Sequence, residues 1–189
     1  MLSSPLYWSG WYYGAAIRLM HGQSLKRRYE YIAGLSTDKV IDVGCGTGKL
    51  SDYLSDEDYY FGIDLNERFL RHAKKQGRNV ARQDALEYDR FSDFDVCVIT
   101  DVLHHINPKH EEFLERVLKE VRKRVIVCEP YDVPSDPITK KLSELLDKDG
   151  FNKPPEWMDK DTLIEFYNRY DPEEITEFGK AVIAVYEKN

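Results

Sequence analysis

The stretch from Val40 to Leu50, VIDVGCGTGKL, constrains the fold of this chain more than any other. A run of β-branched residues enters three glycines at alternate positions, and a helical pattern follows. We therefore predict a strand, a tight loop and a helix over 50–54. Glycine has no Cβ and tolerates positive φ, so the loop backbone can lie close to a ligand. Asp42, at the end of the strand, adds a carboxylate beside the loop.

The spacing of the glycines separates this loop from two other nucleotide-binding loops. A dinucleotide-binding loop has the pattern G-x-G-x-x-G, but here Lys49 stands at the position of the last glycine. A phosphate-binding P-loop needs Ser or Thr after its lysine, and this chain has Leu50. The D-x-G-x-G-x-G pattern resembles motif I of the class I S-adenosylmethionine-dependent methyltransferases. The resemblance implies S-adenosylmethionine as methyl donor, with Gly44, Cys45 and Gly46 against its methionine part and Asp42 near its amino end.

A second predicted strand, 59–65, ends in Asp64, twenty residues after Gly44. In a doubly wound sheet this carboxylate lies at the end of the neighbouring strand and faces the same crevice. It is placed to accept hydrogen bonds from both ribose hydroxyls, and Leu65 is placed to flank the adenine face. The alternative for Asp64 is a cap on the helix predicted over 67–76, although Asn66 suits that role as well.

A short third strand, 79–82, leads into a polar turn over 83–86. The resemblance implies that Asp84 contacts the adenine amino group and that the backbone of Ala85 contacts a ring nitrogen. The residues of the turn alone indicate only a loop carboxylate.

The fourth predicted strand, 94–100, is almost continuously apolar, as in a strand buried on both faces. Ligands bind at the carboxyl ends of such strands, so we expect Thr100, Asp101, His104 and His105 to line the site. Either histidine is a candidate general base at neutral pH. The alternative is that they only hold the loop in place. The histidine spacing does not favour a metal site.

The remaining pattern completes an α/β fold. A helix is predicted from Pro108 to about Arg122, a fifth strand over 124–130, a helix over 162–170, and two strands joined at Gly179 and Lys180. We predict a doubly wound, Rossmann-like sheet of seven mostly parallel strands that ends in an antiparallel β-hairpin. A nicotinamide-binding Rossmann domain would close with a parallel strand instead.

We expect one methyltransferase domain over 1–189 with two additions. Residues 1–34 form an aromatic and helical cap, in which a helix over 15–32 stops near Gly34 and Lys26 to Arg28 form a solvated face. Residues 133–170 form an insertion that contributes to the acceptor pocket, with Phe151, Trp157 and Met158 as lining or core residues.

Composition bears on partners and location. The chain has 189 residues and a net charge of −7 at pH 7, which argues against a dedicated nucleic-acid binder. It has no apolar run long enough to span a membrane and no signal-like start, and its three cysteines lack metal-ligand spacing. These features favour a cytoplasmic protein that acts on a small molecule.

The sequence thus predicts a methyltransferase that transfers the methyl group in line to an oxygen or nitrogen nucleophile of a small organic acceptor. The alternatives are a non-catalytic, S-adenosylmethionine-binding partner subunit and an RNA-modifying methyltransferase; a nicotinamide-dependent oxidoreductase is less favoured. The sequence leaves open the identity of the acceptor and the oligomeric state.

Overall fold

Seven strands form one sheet in this computed structural model, which describes residues 25–131 and 158–188. The strands are β1 Lys39–Val43, β2 Tyr59–Asp64, β3 Val80–Arg82, β4 Val96–Thr100, β5 Arg124–Pro130, β6 Glu174–Phe178 and β7 Ala181–Glu187. Their order across the sheet is β3-β2-β1-β4-β5-β7-β6. Strands β1 to β5 are parallel, and β7 runs antiparallel to both β5 and β6. The predicted mostly parallel sheet with a terminal hairpin is confirmed.

Helices cover both faces of this sheet. They are α1 (residues 25–35), α2 Glu67–Lys75, α3 Leu103–Ile106, α4 His110–Glu120 and α5 Lys160–Asn168. One buried cluster joins the sheet to α4 and α5, and the other joins it to α1 and α2. Side chains alternate along a strand, so Val40 faces α1 and α2 whereas Ile41 faces α4 and α5. By the same alternation, Asp42 and Asp64 lie on the first face and Glu129 on the second.

Three helix predictions need correction. The helix expected over 50–54 is a 3₁₀ helix, Lys49–Asp52, because only ten residues separate Gly48 from β2 and a polar turn occupies the last of them. The helix expected to start at Pro108 starts at His110, after α3. The helix expected over 162–170 begins at Lys160 because the Asp159 side chain accepts a hydrogen bond from Thr162 N, 3.0 Å away, and so caps it.

Two predicted parts of the chain lie mainly outside the described residues: the aromatic start of the chain and the insertion up to Trp157. Met158, at the end of that insertion, packs against the α4 and α5 cluster, which agrees with a core position. Within residues 25–131 and 158–188, no helix combines the length and the apolar character that a membrane span requires.

Candidate functional site

The carboxyl ends of four neighbouring parallel strands form the candidate site. The register places Val43 of β1 between Ile63 of β2 and Ile99 of β4, and Thr100 beside Cys128 of β5. The residues that follow these positions therefore lie at one edge of the sheet. They are Gly44, Asp64, Asp101 and Glu129. Doubly wound sheets bind their ligands at this edge.

The glycine loop after β1 depends on left-handed backbone conformations. Gly44, Gly46 and Gly48 have φ of 66°, 54° and 71°, where a side chain is strained. A Cβ on Gly44 would also lie 2.3 Å from Cγ2 of Val102, whereas a Cβ on Gly46 would lie 3.9 Å from the Phe69 ring, an ordinary van der Waals distance. The absence of a side chain on Gly44 therefore lets the β4 exit pack against the loop.

Asp64 fastens the glycine loop to the end of β2. Its Oδ2 accepts a hydrogen bond from Gly46 N at 2.7 Å, and its Oδ1 accepts one from Asn66 N at 2.6 Å. The side chain of Asn66 accepts from the backbone N–H groups of Arg68 and Phe69, so Asn66 caps α2. Asp64 and the following Leu65 are both half-buried at the crevice.

Asp42 lies beneath the glycine loop with only 4% of its surface exposed. The Tyr60 hydroxyl donates to Asp42 Oδ2 at 2.8 Å. Burial raises the pKa of Asp42 to about 7; the Tyr60 hydrogen bond opposes the shift, and the negative charge of Asp64 adds to it. Cys45 lies close by, and burial raises the pKa of its thiol, which is therefore uncharged at neutral pH.

The turn after β3 is stabilised by the side chain of Asp84 within the turn and by Arg116 of α4. Asp84 Oδ1 accepts from Leu86 N at 2.9 Å, and the Arg116 guanidinium of α4 donates to the carbonyl oxygens of Ala85 and Leu86 at 2.7 and 3.0 Å. Gln83 N donates to Asp64 O at 3.2 Å, which ties the turn to β2. Asp84 and Ala85 therefore lie on the same side of the crevice as Asp64.

At the exit of β4, Asp101 is held by an arginine from α1. Arg28 makes two hydrogen bonds to its carboxylate, Nη1 to Oδ1 at 3.1 Å and Nη2 to Oδ2 at 2.7 Å. The Arg28 side chain is 11% exposed, so the prediction of a solvated face over Lys26 to Arg28 is wrong for Arg28. Asp101 has φ of 57°, and the neighbouring Thr100 has a buried hydroxyl with no hydrogen-bond partner.

Glu129, the acidic residue near the end of β5, was not predicted as a site residue. This side chain is 3% exposed, and its Oε1 accepts from Val102 N at 2.7 Å and Leu103 N at 2.8 Å. Its Oε2 lies 2.5 Å from Nδ1 of His104. The available signal was a carboxylate at the end of an otherwise apolar strand, VIVCEP, where its burial requires partners.

His104 and His105 are adjacent in α3, but their surroundings differ. The two rings lie 4.1 Å apart between centroids. Burial, reinforced by His104 and opposed by Asp101, lowers the pKa of His105 to about 3. His105 Nδ1 is buried without a hydrogen-bond partner, whereas His104 faces the Glu129 carboxylate.

Part of this chain is similar in sequence to known methyltransferases. Residues 41–125 match the family model of a methyltransferase domain. Over 86 residues the chain is 35% identical to a ubiquinone biosynthesis O-methyltransferase from Idiomarina loihiensis, covering 40% of this chain and 35% of that protein. A protein of the same description from Nitrosomonas europaea is 36% identical over 86 residues, covering 41% and 37%. The matched stretch thus spans about a third of the length of these curated relatives.

Solved structures share the fold. Magnesium protoporphyrin IX methyltransferase from Synechocystis, crystallised with bound S-adenosylhomocysteine, has a TM-score of 0.65 at 17% identity, covering 92% of this chain and 85% of that one. A SAM-dependent methyltransferase from Archaeoglobus fulgidus has a TM-score of 0.65 at 16% identity, covering 94% and 100%. At this level of identity the likeness establishes the fold alone.

Proposed function

We propose that this chain is a class I S-adenosylmethionine-dependent methyltransferase that methylates an oxygen or nitrogen nucleophile of a small organic acceptor. The observation that carries the proposal is the row of strand ends where the glycine loop, Asp64 and the β4 exit meet. At this edge the backbone N–H of Gly46 lies 2.7 Å from the half-buried carboxylate of Asp64.

The residues of this crevice fit the donor in chemical character. In the proposal, Gly44, Cys45 and Gly46 line the methionine part, and Asp42 acts on its amino end from beneath the loop. Asp64 accepts from the ribose hydroxyls. The remaining contacts, at the adenine and near the sulfonium, involve Leu65, Asp84, Ala85, Thr100 and Asp101.

The bound donor supplies a methyl group already activated on a sulfonium. The protein then has to align the acceptor with that methyl group and exclude water, which can supply several kcal/mol of the rate enhancement. A proton acceptor is needed where the nucleophile carries a proton, and His104 and His105 are the candidates at the β4 exit.

A small acceptor is supported by the net charge of −7, which disfavours a polyanionic substrate. The O-methyltransferase relatives are consistent with an oxygen nucleophile. A cytoplasmic location and a single domain over 1–189 stay predictions.

Calorimetric titration with S-adenosylhomocysteine tests the donor site, with NADH as the control titrant. We expect micromolar affinity for the first and no heat from the second. Asp64→Ala should weaken S-adenosylhomocysteine binding at least about tenfold, roughly 1.4 kcal/mol, because the ribose hydroxyls lose their carboxylate. Asp56→Ala removes an exposed carboxylate between the glycine loop and β2 and is the matched control.

Two results would contradict this assignment. Absence of S-adenosylhomocysteine binding would remove the donor site, and unchanged affinity of Asp64→Ala would remove the ribose role. A turnover assay with phenols, catechols, carboxylic acids and amines then tests the acceptor class. Donor binding without turnover on any of them would favour a non-catalytic partner subunit.

A further inference from the structure

The exposed side of α2 carries a cluster of positive charges. The apolar side chains of this helix, Phe69, Leu70 and Ala73, are buried in the fold. Four exposed basic residues lie on its opposite side: Arg68, Arg71, Lys74 and Lys75. At about 100° per residue, these positions fall within about a third of the helix circumference and extend over roughly 10 Å of its axis. The helix therefore presents these charges to solvent in one direction.

Arg82, the last residue of the edge strand β3, extends this cluster. Its Nη1 lies 3.4 Å from Oε1 of Glu67, and Nη1 of Arg71 lies 3.7 Å from Oε2 of the same carboxylate. Both arginine side chains remain more than half exposed, 55% for Arg82 and 64% for Arg71. We call the five cations the α2 basic face: Arg68, Arg71, Lys74, Lys75 and Arg82. Within the described residues, the three members that do not contact Glu67 form no ion pair.

Helix stability does not explain this face. Lys74 and Lys75 lie in the last turn of α2, where cations complement the helix dipole, but Arg68 lies in the first turn, where a cation opposes it. Arg71 is three or four residues from each of the other three cations of the helix, and like charges at these spacings destabilise a helix. The cluster therefore costs stability in the protein alone, and a bound polyanion would relieve the repulsion.

The residues of the face discriminate between anionic partners. A helix that binds a membrane surface exposes apolar side chains beside its cations, whereas the large apolar side chains of α2 are buried. A protein interface has an apolar or aromatic centre in which lysine is depleted. In the part of the chain that the structure describes, no large apolar side chain of α2 or β3 is exposed. Nucleic-acid interfaces are polar and strongly positive, and their arginines and lysines mostly contact phosphates.

We propose that the α2 basic face binds the phosphate backbone of a nucleic-acid strand. Its length of roughly 10 Å corresponds to about three phosphates at about 3.4 Å of rise per nucleotide. Its three guanidinium groups suit phosphate oxygens, which they contact through paired N–H donors. The net charge of −7 argued against a dedicated nucleic-acid binder, but this local face, rather than the total charge, carries the contact. The inference goes beyond the proposed function, because the face lies at the β3 edge and the proposed acceptor at the β4 exit.

Fluorescence anisotropy with a labelled single-stranded RNA of about 20 nucleotides tests the proposal on the complete chain. We expect a Kd of about 10 µM or tighter at about 50 mM salt. The slope of log affinity against log salt should lie between about −2 and about −3.5, because three to five phosphate contacts contribute about −0.7 each. No binding at about 100 µM protein, or an affinity independent of salt, would overturn the proposal.

A paired substitution locates the contact. Lys74→Gln combined with Lys75→Gln should weaken RNA binding at least about tenfold at about 50 mM salt and make the slope shallower by about 1.4. Lys109→Gln combined with Lys119→Gln is the matched control, since both lysines are exposed at α4, on the other side of the sheet. It should stay within about twofold of wild type. Equal losses in the two double variants would mean that total charge governs binding and would overturn the proposal.

Three further probes test which anion the face accepts. Single-stranded DNA of the same sequence should bind within about tenfold of RNA, since phosphates are the shared contact, and binding of one strand type alone would overturn the backbone contact. Polyglutamate stands for an acidic protein, and vesicles with about 30% phosphatidylglycerol stand for an anionic membrane. Tighter binding to either of these than to RNA would overturn the proposal.

The binding assays are independent of methyl transfer, because they need neither donor nor acceptor. If RNA does not bind but S-adenosylhomocysteine does, the α2 basic face has been misassigned and the proposed methyltransferase function stands. If RNA binds through this face and S-adenosylhomocysteine does not bind, the nucleic-acid contact stands and the proposed function fails.

Discussion

The buried carboxyl of Asp42 makes stability depend on pH in a way that one substitution should remove. Its pKa is about 7 in the folded protein and near 3.9 in the unfolded chain. The folded state therefore holds a proton that the unfolded chain releases, and wild-type stability declines as the pH rises towards and through 7. Asp42→Asn keeps the acceptor for the Tyr60 hydroxyl but cannot ionise, so this decline should be absent.

The size of the effect follows from the two pKa values. Between about pH 5 and about pH 8 the difference between the two pKa values lowers the free energy of unfolding of the wild-type protein by roughly 2.5 kcal/mol. The free energy of unfolding of Asp42→Asn relative to wild type should rise by this amount over the same interval. Urea titrations at the two pH values, at fixed salt, measure it.

An exposed aspartate provides the matched control for the loss of one negative charge. Asp56→Asn changes the same functional group in the turn before β2, where it is exposed to solvent. A difference between Asp42→Asn and wild type that stays constant with pH would refute the reasoning, because it would mean that Asp42 ionises as easily in the fold as in the unfolded chain.

Two further predictions concern the contacts that hold the crevice. Gly44→Ala should lose at least about 1 kcal/mol more stability than Gly77→Ala in urea titrations. Both glycines have positive φ, but only at Gly44 would a Cβ meet another atom, Val102 Cγ2 at 2.3 Å; equal losses would contradict the clash. Arg28→Ala should cost about 1–2 kcal/mol because the half-buried Asp101 carboxylate loses both hydrogen bonds. Its control, Lys26→Ala, breaks an exposed pair and should stay within about 0.5 kcal/mol of wild type, and an Arg28→Ala variant in that range would show that the pair adds nothing.

The strands of the sheet could be predicted from the sequence because each strand has a recognisable local pattern of residues. Apolar runs bounded by turn residues marked the strands, and Gly179 with Lys180 after β6 marked the hairpin. Once the strands and the parallel order are known, the row of strand ends follows, since parallel strands place their carboxyl ends at one edge. Asp64 was predictable in the same way, from its position at the end of β2.

The contacts between side chains were not predictable from local patterns. Arg28 and Asp101 are 73 residues apart, and Glu129 lies 25 residues after His104. The three successive basic residues Lys26 to Arg28 lie on one helix, and this pattern does not show which of their side chains is buried. The 3₁₀ helix after the glycine loop was missed for a different reason, because the length of the connection to β2, rather than the residue pattern, limits how much helix fits there.

The carboxylates near these strand ends stabilise the fold and also determine the shape of the candidate site. Each of Asp42, Asp64 and Glu129 follows or ends an apolar strand, and each is paired with a different donor: a hydroxyl, the backbone of the glycine loop, and the β4 exit with its imidazole. Burial without these donors would cost several kcal/mol, so the donors are needed for folding alone. The same contacts set the shape of the loops that line the crevice. We therefore expect substitutions of Asp42 and Glu129 that remove these contacts to lower both stability and activity. Parallel measurement of unfolding free energy and turnover in such variants checks this expectation.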